Sequence, residues 1–275
     1  MIVIHNQSFQ SATITINCVN NPKRIHLIFV NNFIMERHQI HIGTSGWSYK
    51  HWRGTFYPKG LKIKDEFEYY LKHFNTVEIN NSFYRLPKKE TFAAWRESVP
   101  SNFVYVVKAS RYITHMKKLH DPKQSTALFF DHVALLEEKL GPILFQLPPF
   151  LKANASLLAN FLEQLPKSFR YVFEFRNADW YRDDIFDLLR EYNCAFCIYE
   201  LAGHQSPVET TADFVYVRLH GPGGKYQGSY SDEALSQWAE SCKNWSKTKD
   251  VFVFFDNDEK GYAAFNALRL IEITR

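Results

Sequence analysis

Long apolar segments are missing from this 275-residue sequence, and none approaches the roughly 18 residues that a membrane-spanning helix needs. Blocks of like charge are missing as well, because the lysines and arginines behind the net charge of +4 are scattered along the chain. We therefore expect no membrane partner. The basic tail that is typical of nucleic-acid binding is also absent, so a nucleic-acid partner is allowed but not required. Nothing in the sequence indicates an oligomeric state.

Cysteine is scarce, with four residues in the whole chain, at Cys18, Cys194, Cys197 and Cys242. This usage suits a reducing compartment better than a disulfide framework, and we expect a cytoplasmic protein. Cys194 and Cys197 are spaced C-x-x-C, but they fall in a strand-like segment, where positions three apart point to opposite faces. A redox pair normally opens a helix, and a zinc site would need a second cysteine pair. We therefore predict two inert, buried thiols.

Residues 1–34 lack the regular pattern that begins after them. They are rich in Asn, Ile and Thr, and they have neither the charged start nor the small-residue cleavage site of a signal peptide. Met35 stands immediately before the regular pattern. We expect residues 1–34 to be an extension, produced by a start placed too early or forming a loosely attached hairpin or edge strand pair. Residues 35–275 are expected to form one barrel domain.

Short β-rich segments alternate with amphipathic helical segments from residue 40 onward. The predicted strands are residues 40–43, 76–80, 103–109, 143–147, 171–175, 195–199, 214–220 and 251–256. Helices between consecutive strands imply parallel pairing with right-handed crossovers. The predicted fold class is α/β, a single (β/α)8 TIM-type barrel. Its helix between the sixth and seventh strands is expected to be short or absent, because residues 200–213 are few and polar.

Polar residues recur at alternate positions of the predicted strands, where they share one face. In the seventh strand Arg218 and His220 share a face, while Val215, Val217 and Leu219 form the apolar face. An open, doubly wound sheet is disfavoured because its strands are apolar on both faces. The polar residues, here called the polar ring, are Glu78, Asn80, Lys108, Gln146, Glu174, Arg176, Arg218, His220 and Asp256. They cluster at the carboxyl ends of the strands, where active sites of this fold are built.

Two interpretations of the polar ring remain open. Isolated buried charges cost several kcal/mol each, so a set of this size is expected to serve a function. The alternative is a structural salt-bridge network, for example with Glu174 paired to Arg218 and Asp256 paired to Arg176. Aromatic residues in the loops after the first two strands, among them Trp47 and Tyr84, could stack on a sugar or base or simply close the barrel end.

Seven sequence motifs give a more specific indication. In chain order they are IHIGTSGWSYKHWRGTFYP, TVEINNSFYRLP, KASRYITHMKKL, LGPILFQLPP, FEFRNADW, YVRLHG and FDNDEKGYAAFNA. In this respect the chain resembles the YecE-like family, known as domain of unknown function 72, over residues 40 to 270. The resemblance implies a TIM-type barrel but lends no settled reaction. The chain departs from the family pattern at the end of the last strand, where the family has Asn-Asn and this chain has Asp256 and Asn257.

The matched motifs imply a set of site residues. Outside the polar ring they are Gly43, Ser45, Trp47, Tyr84, His115 and Asn257. With this set, the preferred hypothesis is an enzyme that uses acid/base chemistry on a phosphorylated or carboxylated, sugar- or nucleotide-like small molecule. Lys108, Arg176 and Arg218 would bind the anion. The proton-transfer residues would be His220 with Glu174 or Glu78. The remaining residues, Ser45, Trp47, Asn80, Tyr84, His115, Gln146, Asp256 and Asn257, are expected to bind substrate.

Two other functions are compatible with the sequence. One is a metal-dependent hydrolase or isomerase of the sugar-isomerase or apurinic-endonuclease barrel type, with Glu174, His220 and Asp256 as ligands. The arginines beside these residues count against it, because a guanidinium repels a metal ion unless an anion lies between them. The other is a non-catalytic barrel that binds nucleic acid or another ligand through its aromatic rim. We expect no cofactor, although a divalent metal is possible.

Overall fold

The computed structural model describes residues 38–275, so the predicted extension, residues 1–34, lies outside the described residues. Nine strands lie in this range: β1 (Ile40–Thr44), β2 (Thr76–Ile79), β3 (Val104–Lys108), β4 (Leu140–Leu147), β5 (Tyr171–Phe175), β6 (Ala195–Leu201), β7 (His204–Gln205), β8 (Phe214–Leu219) and β9 (Asp250–Phe255). Eight α-helices accompany them: α1 (Glu66–Leu71), α2 (Asn81–Tyr84), α3 (Lys89–Glu97), α4 (Pro122–Val133), α5 (Ala155–Glu163), α6 (Asp183–Glu191), α7 (Asp232–Trp245) and α8 (Tyr262–Thr274).

Eight of the strands form a nearly closed parallel barrel. Hydrogen-bonded neighbours follow the order β1-β9-β8-β6-β5-β4-β3-β2, and the two-residue strand β7 pairs antiparallel with β6. The predicted (β/α)8 TIM-type barrel is therefore confirmed. Between β6 and β8 the chain forms the β7 hairpin and no helix, as the short polar segment predicted. Within residues 38–275 no helix is long and apolar enough to cross a membrane.

The barrel closes between β1 and β2 without a hydrogen-bonded ladder in the described sheet. Gly43 makes the close approach possible, because a Cβ there would lie 2.5 Å from the carbonyl oxygen of Thr76. The hydroxyl of Tyr70, on α1, bridges the two strands. It accepts from the backbone N–H of Thr44 at 3.2 Å and donates to the Thr76 carbonyl at 3.0 Å. A side chain thus replaces part of the missing ladder.

Tyr70→Phe should lower the free energy of unfolding by about 1 to 3 kcal/mol, because it leaves the buried amide of Thr44 and carbonyl of Thr76 without this partner. Urea denaturation measures the effect. Tyr105→Phe is the matched control, because Tyr105 is equally buried but its hydroxyl makes one bond, to the Trp95 carbonyl at 3.0 Å. Equal losses in the two variants would contradict the bridging role of Tyr70.

The strands have two buried faces, as their alternation predicted. Outward-facing residues such as Val215 and Val217 pack with the helices, whereas Val172, Tyr216 and Phe252 belong to a separate cluster inside the barrel. The interior is therefore apolar up to the level where the polar ring begins at the carboxyl ends of the strands. We call this end of the barrel the carboxyl-end rim.

The two spaced cysteines follow the same alternation. Cys194 packs with the outer cluster and Cys197 with the inner one, and both are buried. Burial raises the pKa of the Cys194 thiol to about 12 and that of Cys197 well above its ordinary value. The prediction of two buried thiols on opposite faces is confirmed.

Candidate active site

Arg218 joins three strands across the barrel interior. Its side chain, on β8, is 1% exposed, and its two terminal nitrogens lie 2.6 Å from Glu78 Oε1 on β2 and 2.6 Å from Glu174 Oε2 on β5. Both glutamates are fully buried. Charge-assisted bonds of this length are strong, and a guanidinium presents its donors in a fixed planar geometry. Arg218 therefore fixes both carboxylates, while its Nε has no partner among the described residues.

Glu78 is surrounded by donors. Besides Arg218, its oxygens accept from Ser45 Oγ at 2.7 Å, Tyr216 Oη at 2.5 Å and Asn80 Nδ2 at 3.1 Å. Asn80 Oδ1 is buried and has no partner in the described part of the chain. Oε1 of Glu78 accepts three hydrogen bonds and Oε2 accepts one, and the side chain is fully buried. This arrangement favours a positioning role for Glu78.

A second series of contacts runs from Glu174 to Asp256. Arg176 Nε donates to Glu174 Oε1, and the Arg176 NH2 group lies 2.9 Å from His220 Nε2. His220 Nδ1 lies 3.0 Å from Asp256 Oδ2. Since a guanidinium can only donate, His220 Nε2 is the acceptor. The imidazole proton is therefore on Nδ1, where Asp256 accepts it.

The charge states of this series follow from burial and neighbours. Burial, followed by the nearby Arg218, lowers the pKa of His220, although Asp256 opposes the change. Burial alone would raise the pKa of Glu174, but Arg176 and Arg218 hold it well below its usual range. At neutral pH Glu174 is thus a carboxylate and His220 a neutral imidazole. Both groups are in the deprotonated form that a general base needs, but Glu174 is the much weaker base because its two arginines hold its pKa so low.

The structure corrects one of the two ion pairs expected for a structural network. The pairing of Glu174 with Arg218 is present, but the pairing of Asp256 with Arg176 is wrong. Asp256 instead lies 3.0 Å from His220 and 3.5 Å from Arg218. Arg176 bonds to Glu174, which stands two residues earlier and points to the same side of the chain.

Lys108 lies at the end of β3 beside this network. Its Nζ is 4.4 Å from the ring centroid of Phe83, and it forms no hydrogen bond or ion pair with any residue from 38 to 275. Burial and then Arg218 lower the pKa of Lys108 to about 8, although Glu174 and two other carboxylates act in the opposite direction. His115 stacks edge-on against the same Phe83 ring at 5.0 Å. It lies in the irregular helical turn Tyr112–Met116.

A cavity of about 430 Å³ opens at the carboxyl-end rim. Its lining includes two polar-ring residues, Gln146 and Arg176, together with Tyr199 and Tyr226. The guanidinium carbon of Arg176 lies 4.8 Å from the ring centroid of Tyr199. Arg176 is therefore the residue through which the ion-pair network reaches the cavity.

Asn257 supports the glycine-rich loop after β8 rather than the polar ring. Its Nδ2 donates to the carbonyl of Gly228 and to Oδ1 of Asn266, both at 2.8 Å. The same loop places Tyr226 beside the cavity, where its backbone N–H donates to the His220 carbonyl at 2.8 Å. Asn257 is therefore placed to hold the loop, and direct substrate contact by it stays a prediction.

The two aromatic residues predicted for the site, Trp47 and Tyr84, lie outside the polar ring. Trp47 packs against Phe67 at 4.7 Å and Trp95 at 5.8 Å, which belong to α1 and α3. Tyr84, at the end of α2, is 74% exposed. Tyr199 and Tyr226 also line the cavity and were not predicted from the sequence. The alternation of β6 could have identified Tyr199, which shares a face with Cys197.

The ligand set proposed for a metal does not fit a metal centre as the side chains are placed. Glu174 Oε1 and His220 Nε2 lie 3.8 Å apart, but Arg176 donates to both atoms. No three His, Cys, Asp or Glu side chains converge on a possible metal position within the described range. The residues therefore give the metal-dependent alternative no support.

Comparison with known proteins identifies relatives along most of the chain. The family model described as "Protein of unknown function DUF72" matches residues 41–275. The chain is 26% identical to the UPF0759 protein YunF of Bacillus subtilis over 269 residues, which cover 85% of this chain and 94% of YunF. It is 31% identical to the UPF0759 protein YecE of Escherichia coli over 143 residues, which cover 52% of this chain and 50% of YecE.

Solved structures agree with these sequence matches. A DUF72 family protein from Thermotoga maritima is similar with a TM-score of 0.76 and 30% identity, covering 86% of this chain and 99% of that one. A second, from Enterococcus faecalis, has a TM-score of 0.72 at 21% identity and shows the shared fold, covering 86% and 95% of the two chains. The resemblance noted in the sequence is confirmed, and the chain belongs to the DUF72 family, whose match includes every residue of the polar ring.

Proposed function

We propose that this protein is an enzyme that binds an anionic polar small molecule at the carboxyl-end rim and transfers a proton with His220. The observation that carries the proposal is the position of Arg176. Its guanidinium lines the cavity and also donates a hydrogen bond to Nε2 of His220. Arg176, at the cavity wall, thus couples a group that can bind an anion directly to the neutral and fully buried imidazole of His220.

Binding of an anion would change what Arg176 contacts. A phosphate or carboxylate competes with His220 for the Arg176 NH2 group, because charge-assisted bonds are stronger than a bond to a neutral nitrogen. Release of Nε2 leaves its lone pair available to accept a substrate proton. Asp256, which accepts from Nδ1, would stabilise the imidazolium that forms. Substrate binding would therefore activate the base.

The other ring residues have supporting roles in this proposal. Glu174 orients Arg176, and Arg218 orients Glu174. Gln146 and Tyr199 offer hydrogen-bonding groups at the cavity wall. A volume of about 430 Å³ suits a small substrate of the phosphorylated or carboxylated, sugar- or nucleotide-like kind.

Arg176→Gln should weaken the binding of inorganic phosphate by about 10- to 100-fold, because it removes a charge-assisted contact worth roughly 1.5 to 3 kcal/mol. Isothermal titration calorimetry measures the dissociation constants. The matched control is Arg182→Gln, since Arg182 is exposed and bonds Asp184 on the outer surface. Equal phosphate affinities in the wild type and Arg176→Gln would refute anion binding at this position.

A further inference from the structure

Three neighbouring loops at the carboxyl-end rim contain lysine and arginine but no aspartate or glutamate. They are residues 80–88 after β2, residues 109–120 after β3 and residues 148–154 after β4. The loop after β1, residues 45–64, has the same composition, whereas the loops after β5, β6 and β9 contain acidic residues. Cations that are scattered along the sequence are therefore concentrated by the fold on one part of the rim.

Each of the three loops also exposes an aromatic ring. Tyr112 is 40% exposed and Phe150 64%, and Tyr84 is the most exposed of the three. An exposed cation accompanies each ring in its loop. We call this set the basic aromatic face, which consists of Tyr84, Arg85, Arg111, Tyr112, Lys118 and Phe150. Large apolar groups that are exposed together are typical of an interaction site.

Side-chain contacts join the three loops into one surface. Phe83, next to Tyr84, packs edge-on against His115 at 5.0 Å and so connects the first loop to the second. Lys118 Nζ lies 5.4 Å from the ring centroid of Phe150 and connects the second loop to the third. Because β3 pairs with both β2 and β4, the loops also begin side by side. The basic aromatic face is therefore continuous across three strands.

The cations of the basic aromatic face are not neutralised by the part of the chain that the structure describes. Arg85, Arg111 and Lys118 form no ion pair with any residue from 38 to 275, whereas the neighbouring Lys117 lies 3.0 Å from Asp121. Lys118 also has φ of +50°, in the left-handed region that a lysine rarely adopts. Backbone strain of this kind concentrates at ligand-binding positions. Charge and conformation both favour an external anionic partner.

We infer that the basic aromatic face binds single-stranded nucleic acid. Cations interleaved with exposed rings provide the two contacts that such a strand needs, one to its phosphates and one to its unpaired bases. A duplex keeps its bases stacked, so it would use only the cations. Pro149 lines the cavity and Phe150 belongs to the face, so the bound strand would pass beside the cavity. The inference does not depend on the substrate proposed for the cavity.

Fluorescence anisotropy with a labelled oligothymidylate of roughly 12 nucleotides tests the inference. Phe150→Ala should weaken binding by the full-length protein about 5- to 100-fold, because one base loses its stacking partner. Phe265→Ala is the matched control, since Phe265 is 44% exposed but lies on α8, outside the face. It should bind like the wild type. Absence of binding at low salt, or equal losses in the two variants, would overturn the inference.

The salt dependence of binding tests the cations. With three of them on phosphates, the logarithm of the association constant should fall against the logarithm of salt concentration with a slope of about −2. The double variant Arg111→Gln and Lys118→Gln should make this slope shallower by about 1. Equal affinity for a duplex of the same length, unchanged by Phe150→Ala, would show that only charge is recognised and would overturn the inference. Binding to phosphatidylserine vesicles but not to the oligonucleotide would assign the face to a membrane surface instead.

Discussion

Arg218→Met should lower the free energy of unfolding by about 3 to 5 kcal/mol, the cost of leaving a buried charge without its partner. The substitution keeps most of the side-chain volume and removes the guanidinium. Glu78 then has no cation, and Glu174 keeps only Arg176. Because both carboxylates are fully buried, water cannot replace the lost bonds without opening the barrel. Urea or guanidinium denaturation, followed by tryptophan fluorescence, measures the loss.

The dependence of this loss on pH identifies its cause. In the native protein, Arg176 and Arg218 lower the pKa of Glu174, so its contribution to stability is present above its unfolded pKa and is lost as the pH falls. Without Arg218 part of that contribution disappears. A stranded carboxylate can also be neutralised by protonation. The difference between Arg218→Met and the wild type should therefore be smaller at pH 5 than at pH 8.

A triple variant provides the matched control for Arg218→Met. Adding Glu78→Gln and Glu174→Gln removes the stranded charges, so part of the lost stability should return. Arg182→Met, at an exposed position, should change stability by less than about 0.5 kcal/mol. If Arg218→Met unfolds at the same denaturant concentration as the wild type, the ion pairs do not stabilise the barrel. The same result would strengthen a direct role for Arg218 in substrate binding.

The sequence was sufficient to predict the barrel and the face on which its polar residues lie. In β8, the pleat alone places Arg218 on one face and Val217 on the other. The eight predicted strands all appear, and only β4 begins clearly early, at Leu140 instead of residue 143. Gly141 and Pro142 are typical of a turn, but Gly141 fits against Val104, which a Cβ would approach to 2.5 Å. This tertiary contact extends the strand.

The choice of partners within the ring could not be predicted in the same way. The alternation of strand residues places a side chain inside the barrel, but it does not fix the rotamer of that side chain or its position along the barrel axis. Arg218 and Glu78 are 140 residues apart in the chain, and their contact depends on the barrel having closed. The same limit explains the wrong pairing of Asp256 with Arg176. Loop residues such as Trp47 are less predictable still, because no strand pleat fixes their direction.

The ring as a whole connects the stability of the barrel to the cavity. Arg218 holds Glu174, Glu174 holds Arg176, and Arg176 reaches both His220 and the cavity. The structural and functional interpretations of the sequence are therefore compatible. The inner pairs stabilise the barrel, and Arg176 presents its guanidinium to the cavity. Variants at Arg218 and at Arg176 should therefore affect both properties, because each arginine is ion-paired with the buried Glu174.

Gly221→Ala should destabilise the protein by about 2 to 5 kcal/mol, because it combines backbone strain with a steric clash. Gly221 follows His220 and has φ of +111°, in a region that favours glycine. A Cβ would lie 2.2 Å from the carbonyl oxygen of Gln227, a backbone atom that cannot move without opening the loop. The Gly221 N–H also donates to the Tyr230 hydroxyl at 3.0 Å. The loop that brings Tyr226 to the cavity should therefore be displaced.

The effect should appear in stability and in ligand binding together. The melting temperature should fall by about 2 to 4 °C for each kcal/mol of stability lost. Phosphate affinity should also decrease, because the displaced loop no longer holds Tyr226 in its position relative to His220. Gly223→Ala is the matched control from the same loop, since a Cβ there meets nothing within 4 Å and its φ is not left-handed. It should be nearly neutral. Equal stability of the two variants would show that the loop adapts to Gly221→Ala, and unchanged phosphate affinity would then separate the loop from the anion site.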